Sequence, residues 1–371
     1  MTTGHSSLGA SGAHRWMECP GSVALIGALG VPDETEDEPG FRLEGTQAHI
    51  LAEQCLKHDF DSWQGGTLGL SMFSSDMMEA VQVYLDYVRS RPGWALAELK
   101  LHRPEFHDLA YGTADAVCLD PGHLEIIDYK HGAGLAVEVE ENPQGMYYAG
   151  MVIDELGHAW TDDEEIKITI VQPRKPHSGG PIRTWVTTVG HLRRWMVEVL
   201  RPAMVQTSVD AFLSPGDHCR FCPAKLVCPA FLAVGSEFSH LDIDQLQALS
   251  DPVLARLLTK KTVLRMVLAA LDKEAARRMI ENHGELPGWK VVPAMGDRVW
   301  KPGAPVFGWQ ERKPMTPAQV EDCQGGKLFT AEWAEKPFRG YSVVPDEDRR
   351  KAAKFTSEEF AKNIAKEIKT G

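Results

Sequence analysis

Tyr111-Gly-Thr-Ala-Asp-Ala-Val-Cys-Leu-Asp120-Pro-Gly-His-Leu-Glu-Ile-Ile-Asp-Tyr-Lys130 is the stretch on which the reading of this chain turns. Two apolar-rich runs flank Pro121-Gly122, the pattern of a β-hairpin. With Pro121 and Gly122 as the turn, Asp115 faces Asp128, Val117 faces Ile126 and Leu119 faces Leu124. Side chains alternate along a strand, so Leu124, Ile126, Asp128 and Lys130 share one face. Directly opposed residues have Cβ atoms about 5 Å apart, and like charges there are destabilising. A divalent cation gives two such carboxylates a reason to meet, because hard cations take carboxylate oxygens. Lys130 would point into the same site and could orient or activate a water. Pro-Gly favours a type II turn, whereas two-residue hairpins prefer the primed types, so a longer loop would shift this pairing. On the hairpin alone, a strand-edge Asp115 and a surface Asp128–Lys130 ion pair read equally well.

Outward from the hairpin, strand signals cover Ala95–Arg103, Glu165–Gln172 and Arg183–Val189, beside the hairpin strands Gly112–Asp120 and His123–His131. Glu98, on the strand before the hairpin, is either a further group approaching the site or a plain strand residue. A helix begins after Asn142 as N-cap, with Pro143 at its first position. Upstream, residues 14–30 read as one short helix carrying Cys19. A helix from Thr46 (as N-cap) to Lys57 puts His49 and Glu53 one turn apart, and another runs from Asp76 to Arg89. Downstream, a helix from about His191 to Phe212 leads into a cysteine cluster. Helices at 244–250 and 252–283, a Gly/Pro/Trp-rich stretch at Leu286–Gly308 and a charged helix at Ser357–Lys369 complete the chain. Strands alternating with helices indicate an α/β core.

The cluster is Cys219-x2-Cys222-x5-Cys228, three thiols in one loop, which leaves a metal centre one ligand short. Cys19, about two hundred residues away, is the best fourth. Zinc is the default for clustered cysteines, usually through paired Cys-x2-Cys knuckles, and one remote cysteine plus a trio is unusual for it. Cys55, Cys118 and Cys323 read as buried hydrophobes.

The apolar and charged fractions, 43% and 25%, are those of a globular protein, and the apolar runs are too short to span a bilayer. The first residues lack the pattern of an export signal, which predicts a cytoplasmic protein without a disulfide framework. A net charge of −13 weighs against a polyanionic partner. Local field matters more than total charge, and Arg256–Arg278 is rich in Lys and Arg. Arg256, Lys260, Lys261 and Arg265 are the candidate DNA contacts, against the plain reading of a solvated helix face.

The hairpin resembles the PD-(D/E)XK nuclease superfamily, whose signature is an acidic residue on one strand and D/E-x-K on the next, here Asp115 and Asp128-Tyr129-Lys130. Gln144-Gly-Met-Tyr-Tyr148 matches the Q-x-x-x-Y helix motif of the RecB-type branch, and Gly45-Thr-Gln-Ala-His49 matches its G-x-x-x-H motif. All stand in the family's order. The cysteines are similar to the arrangement in AddB-type helicase-nucleases and CRISPR-associated RecB-like nucleases, where one N-terminal and three C-terminal cysteines hold a 4Fe–4S cluster around the nuclease core.

The resemblance covers about residues 14–232. It implies a restriction-endonuclease-like α/β mixed-sheet core flanked by helices, with a mostly helical C-terminal extension. The divisions are 1–94, helical with Cys19 and His49; 95–190, the nuclease core; 191–232, closing the cysteine site; and 233–371, the extension. It further implies Mg²⁺ or Mn²⁺ held by His49, Asp115, Asp128 and the backbone carbonyl of Tyr129, with Lys130, Gln144 and Tyr148 completing the catalytic set. Cys19, Cys219, Cys222 and Cys228 would hold 4Fe–4S, with Zn²⁺ as the alternative. The implied function is metal-dependent DNA cleavage, as an exonuclease at single- or double-stranded ends, in the cytoplasm of a bacterial host and of phage origin. A phage recombination or replication protein would be the partner, and no membrane is involved. The alternative is a catalytically silent DNA-binding or scaffold subunit.

Overall fold

Pro121 and Gly122 do form the two-residue turn, with Gly122 at φ 74°, the left-handed conformation that glycine supplies at the third position of a type II turn. Around it the computed structural model describes residues 6–30, 39–64, 73–155, 160–207, 210–239, 249–280, 286–295, 298–301, 305, 309–310, 313–321, 323 and 325–353. The chain forms two units, one within residues 1–264 and one within 265–364.

The first unit opens with α1 (Ala13–Glu18) and α2 (Gly21–Leu29). These are two helices where one was expected: Cys19 leaves helical geometry at φ −135°, and Pro20 starts the next. Then come α3 (Pro39–His58) and α4 (Ser75–Arg89). The α3 helix starts seven residues before the expected Thr46, because Pro39 suits a first helical position and Gly45 is tolerated inside. Ser74 caps α4 by accepting from the Met77 amide at 3.2 Å.

Strands β1 (Trp94–His102), β2 (Tyr111–Asp120) and β3 (His123–Tyr129) follow, then α5 (Pro143–Glu155), β4 (Glu165–Val171) and β5 (Ile182–Thr188). Asn142 caps α5, accepting from the Gly145 amide at 3.1 Å. The strands form one sheet in the order β1-β2-β3-β4-β5. All neighbours are antiparallel except β3 and β4, whose parallel pairing requires a crossover that α5 provides.

The two faces of this sheet bury different sets. Val117, Leu124, Ile126, Ile166 and Ile168 pack with α5 and with Trp16 of α1. Ala116, Cys118, Ile127, Tyr129 and Val171 pack with Leu51 and Cys55 of α3 and Tyr84 and Leu85 of α4. The fold is therefore mixed α/β, a five-stranded mixed sheet with helices on both faces. Gly145 lets α5 approach closely: a Cβ there would lie 2.5 Å from Ile168 Cγ2.

After β5, α6 (Val189–Trp195), a π-helical turn (Met196–Leu200) and α7 (Arg201–Val205) run together, ending well before the expected Phe212. The cysteine loop leads to α8 (Pro229–Ser239) and α9 (Asp251–Ile280). The unit boundary falls within α9.

The second unit begins with the last part of α9 and adds short strands to the expected helical extension. It contains β6 (Trp289–Met295), β7 (Val299–Trp300), β8 (Trp309–Gln310), β9 (Lys313–Pro314), α10 (Pro317–Glu321), α11 (Gly326–Trp333), β10 (Ala334–Glu335) and β11 (Phe338–Pro345). β6 pairs antiparallel with β11, burying Val292 and Val344. β6 falls in the Gly/Pro/Trp-rich stretch, where prolines and glycines hide a β-branched core. The expected helix Ser357–Lys369 and most of 244–250 lie outside the described residues; Leu249 and Ser250 are not helical. No helix among the described residues is long and apolar enough to cross a membrane.

Candidate active site

The hairpin pairs in the expected register, Val117 with Ile126 and Leu119 with Leu124, but the ladder ends at Ala116 and Ile127. Asp115 and Asp128 therefore do not stand as a ladder pair. The strands part there, and the Tyr129 amide donates to Asp115 Oδ2 at 2.7 Å. On its other side Asp115 loses its β1 partner as well. Ala97 pairs with Ala116 and Leu99 with Ala114, leaving Glu98 unpaired at φ 51°. Such a conformation costs a non-glycine residue about 1–3 kcal/mol and concentrates at functional sites.

Into this opening α3 delivers His49, whose Nδ1 is 3.4 Å from Asp115 Oδ1. Ligand atoms of His49, Glu98 and Asp115 all lie within 4.8 Å of one another. Burial would lower the His49 pKa, yet Asp115, helped by Asp128, raises it overall. Burial would likewise raise Asp115, but His49, Lys130 and the Tyr129 amide hold it below the usual carboxylate range. Glu98 is pushed up to about 7 by burial and then by Asp115. Burial, with Asp115 second, raises Asp128 against the pull of Lys130.

Asp128 is 4% exposed. Lys130 Nζ lies 3.1 Å from its Oδ1, to which it donates, and 3.0 Å from Oδ2. Oδ2 is nevertheless buried without a hydrogen bond. The Lys130 ammonium compensates this buried carboxylate in part, and a metal ion would give it a second cationic partner. Lys130 also donates to Gln144 Oε1 at 2.8 Å, so the first residue of the Q-x-x-x-Y pair fixes the ammonium. Tyr148 does something else: its buried ring covers Gly112, where a Cβ would sit 3.1 Å away, and its hydroxyl meets the Thr113 backbone. Tyr129 gives its amide to Asp115 while its ring lies in the core.

The hairpin motif places His49, Asp115, Asp128, Lys130 and Gln144 together, but leaves Glu98 open. A signal for Glu98 existed. Leu96, Leu99 and Leu101 all contact one core face, and so do Ala114, Val117 and Leu119. A step of three inside a two-residue period marks an irregularity, here at Glu98 and Asp115 together.

The cysteine site lies elsewhere in this unit. Cys19, Cys219, Cys222 and Cys228 are all buried and line one cavity with Leu25, Leu213 and Phe231. Ser214 N donates to Cys19 Sγ at 3.3 Å and Gly216 N to Cys219 Sγ at 3.4 Å. Gly21 N donates to the Phe212 carbonyl at 2.9 Å, stitching the start of α2 to the segment before the loop. Burial pushes the Cys219 thiol up to about 11 and raises Cys19 and Cys222, although buried Arg15 favours both of the latter as thiolates. Cys55 and Cys118 are buried as expected, whereas Cys323 is half-buried.

Of the basic candidates on α9, Arg256, Lys261 and Arg265 are exposed. Lys260 is neutralised by Glu237 of α8, with Nζ 2.6 Å from Oε1. A family model described as a protein of unknown function (DUF2800) matches residues 5–350, and the chain belongs to that family.

Proposed function

We propose that this protein is a metal-dependent deoxyribonuclease of the PD-(D/E)XK superfamily, RecB-type branch, which hydrolyses phosphodiester bonds at DNA ends. The observation that carries this reading is the break in strand pairing at Asp115, where His49, Glu98 and Asp115 converge beside the buried Asp128–Lys130 pair. His49, Glu98, Asp115 and Asp128 would hold Mg²⁺ or Mn²⁺, with the Tyr129 carbonyl as a further ligand. Imidazole and carboxylate donors in this mixture suit such an ion. Bound there, the ion supplies Lewis-acid stabilisation of the phosphate and helps water ionise near neutral pH.

The protein's own contribution is placement. Gln144 and Asp128 pin Lys130 Nζ between them, so its positive charge is set before substrate arrives. From that position it stabilises negative charge on an attacking oxygen or on the phosphate. Tyr148 holds β2 at Gly112–Thr113, close to Asp115 in sequence, and acts on the strand rather than on Lys130.

The four buried cysteines fit a 4Fe–4S cluster held by Cys19, Cys219, Cys222 and Cys228, whose usual ligands are thiolates. One remote cysteine beside a trio departs from the paired Cys-x2-Cys knuckles usual for zinc, which favours a cluster. Its role would be to clasp α1 and α2 to the segment around 214–228.

The test uses full-length protein purified anaerobically, with end-labelled single- and double-stranded DNA in Mg²⁺, Mn²⁺ or EDTA. Cleavage in either metal and none in EDTA is expected, with loss in Asp128→Ala. Binding without cleavage by folded wild-type protein would instead identify a DNA-binding subunit.

A further inference from the structure

The α3 helix runs past three places on the sheet in succession. Glu44 reaches Arg174, beyond the end of β4. His49 reaches Asp115 on β2, and Lys57 lines a cavity beside Glu98 on β1. The Arg174 contact is part of a wider arrangement: its Nη1 lies 2.8 Å from Glu44 Oε1 and 2.7 Å from His131 Nε2. Guanidinium groups only donate, so His131 Nε2 accepts, and the Nδ1–H of this neutral ring donates to Tyr129 Oη at 2.8 Å. The 3.4 Å approach of Nε2 to Glu44 Oε1 is then two acceptors bridged by one nitrogen. His131 is 3% exposed and Tyr129 fully buried, so the relay is shielded from water. The Tyr129 ring in turn meets the His49 ring edge-on at 5.5 Å and packs on Tyr84 at 5.0 Å.

Both routes from Arg174 end at His49. One passes through Glu44, five residues earlier on the same helix. The other passes through His131 to the ring beside the imidazole. Between Glu44 and His49 sits Gly45, where an added Cβ would meet nothing within 4 Å. Glycine weakens a helix, and Gly45 itself brings no side chain to the sheet. The Arg174–Glu44 contact ties down the turn before it.

We infer that Arg174 is a positioning residue that holds His49 against Asp115 through Glu44 and the His131–Tyr129 relay. This rests on the reading of His49 as a metal ligand. The hydrogen-bonded groups behind a metal ligand set its orientation, and losing one lowers metal affinity by roughly 10–100-fold. A role in overall folding alone would lower stability without depending on His49.

The experiment is a double-mutant cycle on the full chain, reading Mn²⁺ affinity by the free-ion EPR signal, with thermal melting in parallel. Arg174→Met should weaken Mn²⁺ binding about tenfold in the wild-type background and leave it unchanged when His49→Ala is already present. Arg174→Lys, which keeps one donor to Glu44, should recover part of the loss. Equal losses in both backgrounds, or none in either, would overturn the inference. If Arg174→Met does not fold, Glu44→Gln carries the same comparison, with the same expected and contrary results. Failure of the wild type itself to bind Mn²⁺ would remove the metal-site reading and this inference with it, a result distinct from additive losses.

Discussion

Glu98 combines a left-handed backbone with a carboxylate whose pKa is pushed up to about 7, so the metal-free site holds a proton that the unfolded chain would release. Its folded pKa lies above the ordinary glutamate value of about 4.3. Its contribution to stability is therefore full below that value and is lost as pH rises through 7. Between pH 4.5 and 7.5 the metal-free Glu98→Gln variant should show a flatter fall in melting temperature than wild type (pH values set about the two pKa limits). Proton and metal compete for the same carboxylate. Mn²⁺ affinity, read by calorimetry, should rise with pH up to about 7 in wild type and rise less in Glu98→Gln. Lys130 separates from the ligands in its expected effect. Lys130→Ala should lower turnover by about 10²–10⁴-fold while Mn²⁺ still binds, since its links are to Asp128 and Gln144.

At the scale of elements, closeness of approach decides whether the site assembles. The start of α5 brings Gln144 to Lys130, and Gly145 lets the helix sit against Ile168. Gly145→Ala should destabilise by about 1–3 kcal/mol through overpacking; urea unfolding measures this, and Mn²⁺ affinity should change little. The hairpin was legible in the sequence because Pro121-Gly122 and two alternating runs specify register locally, and five pairs ahead of the site obey it. The parting of the strands at Asp115 was not legible. It depends on the Tyr129 amide choosing a side chain over a backbone carbonyl, a tertiary matter. The true start of α3 was missed because Thr46 looks like a cap, and the error hid Glu44 from the helix that carries His49. Asn142 and Ser74, true caps, mark their helices because the side-chain acceptors do engage.

Over the whole molecule, two long-range devices hold the first unit together. One is the sheet with helices on both faces; the other is the meeting of Cys19 with the cysteines of 219–228. The cysteine spacing named the second device, but the burial of all four thiols around one cavity is a three-dimensional fact that spacing does not carry. Cys222→Ser should bleach absorbance near about 400 nm from a bound cluster. It should also raise hydrogen exchange together in residues 13–29 and 214–228, since metal binding there is folding free energy. Cys55→Ser should leave the absorbance intact. In the second unit, strands β6 and β11 were obscured by Pro293 and by the bulge between Phe338 and Tyr341. The central claim is that the opening at Asp115 is a metal-dependent site for cutting DNA. The most direct measurement is the single-turnover rate of Mn²⁺-dependent cleavage of a labelled DNA end by cluster-replete wild type and by Lys130→Ala at saturating metal. The account predicts cleavage by wild type and at least about 100-fold slower cleavage by the variant, at equal Mn²⁺ occupancy. Equal rates in the two proteins, or wild-type cleavage that persists in EDTA, would contradict it.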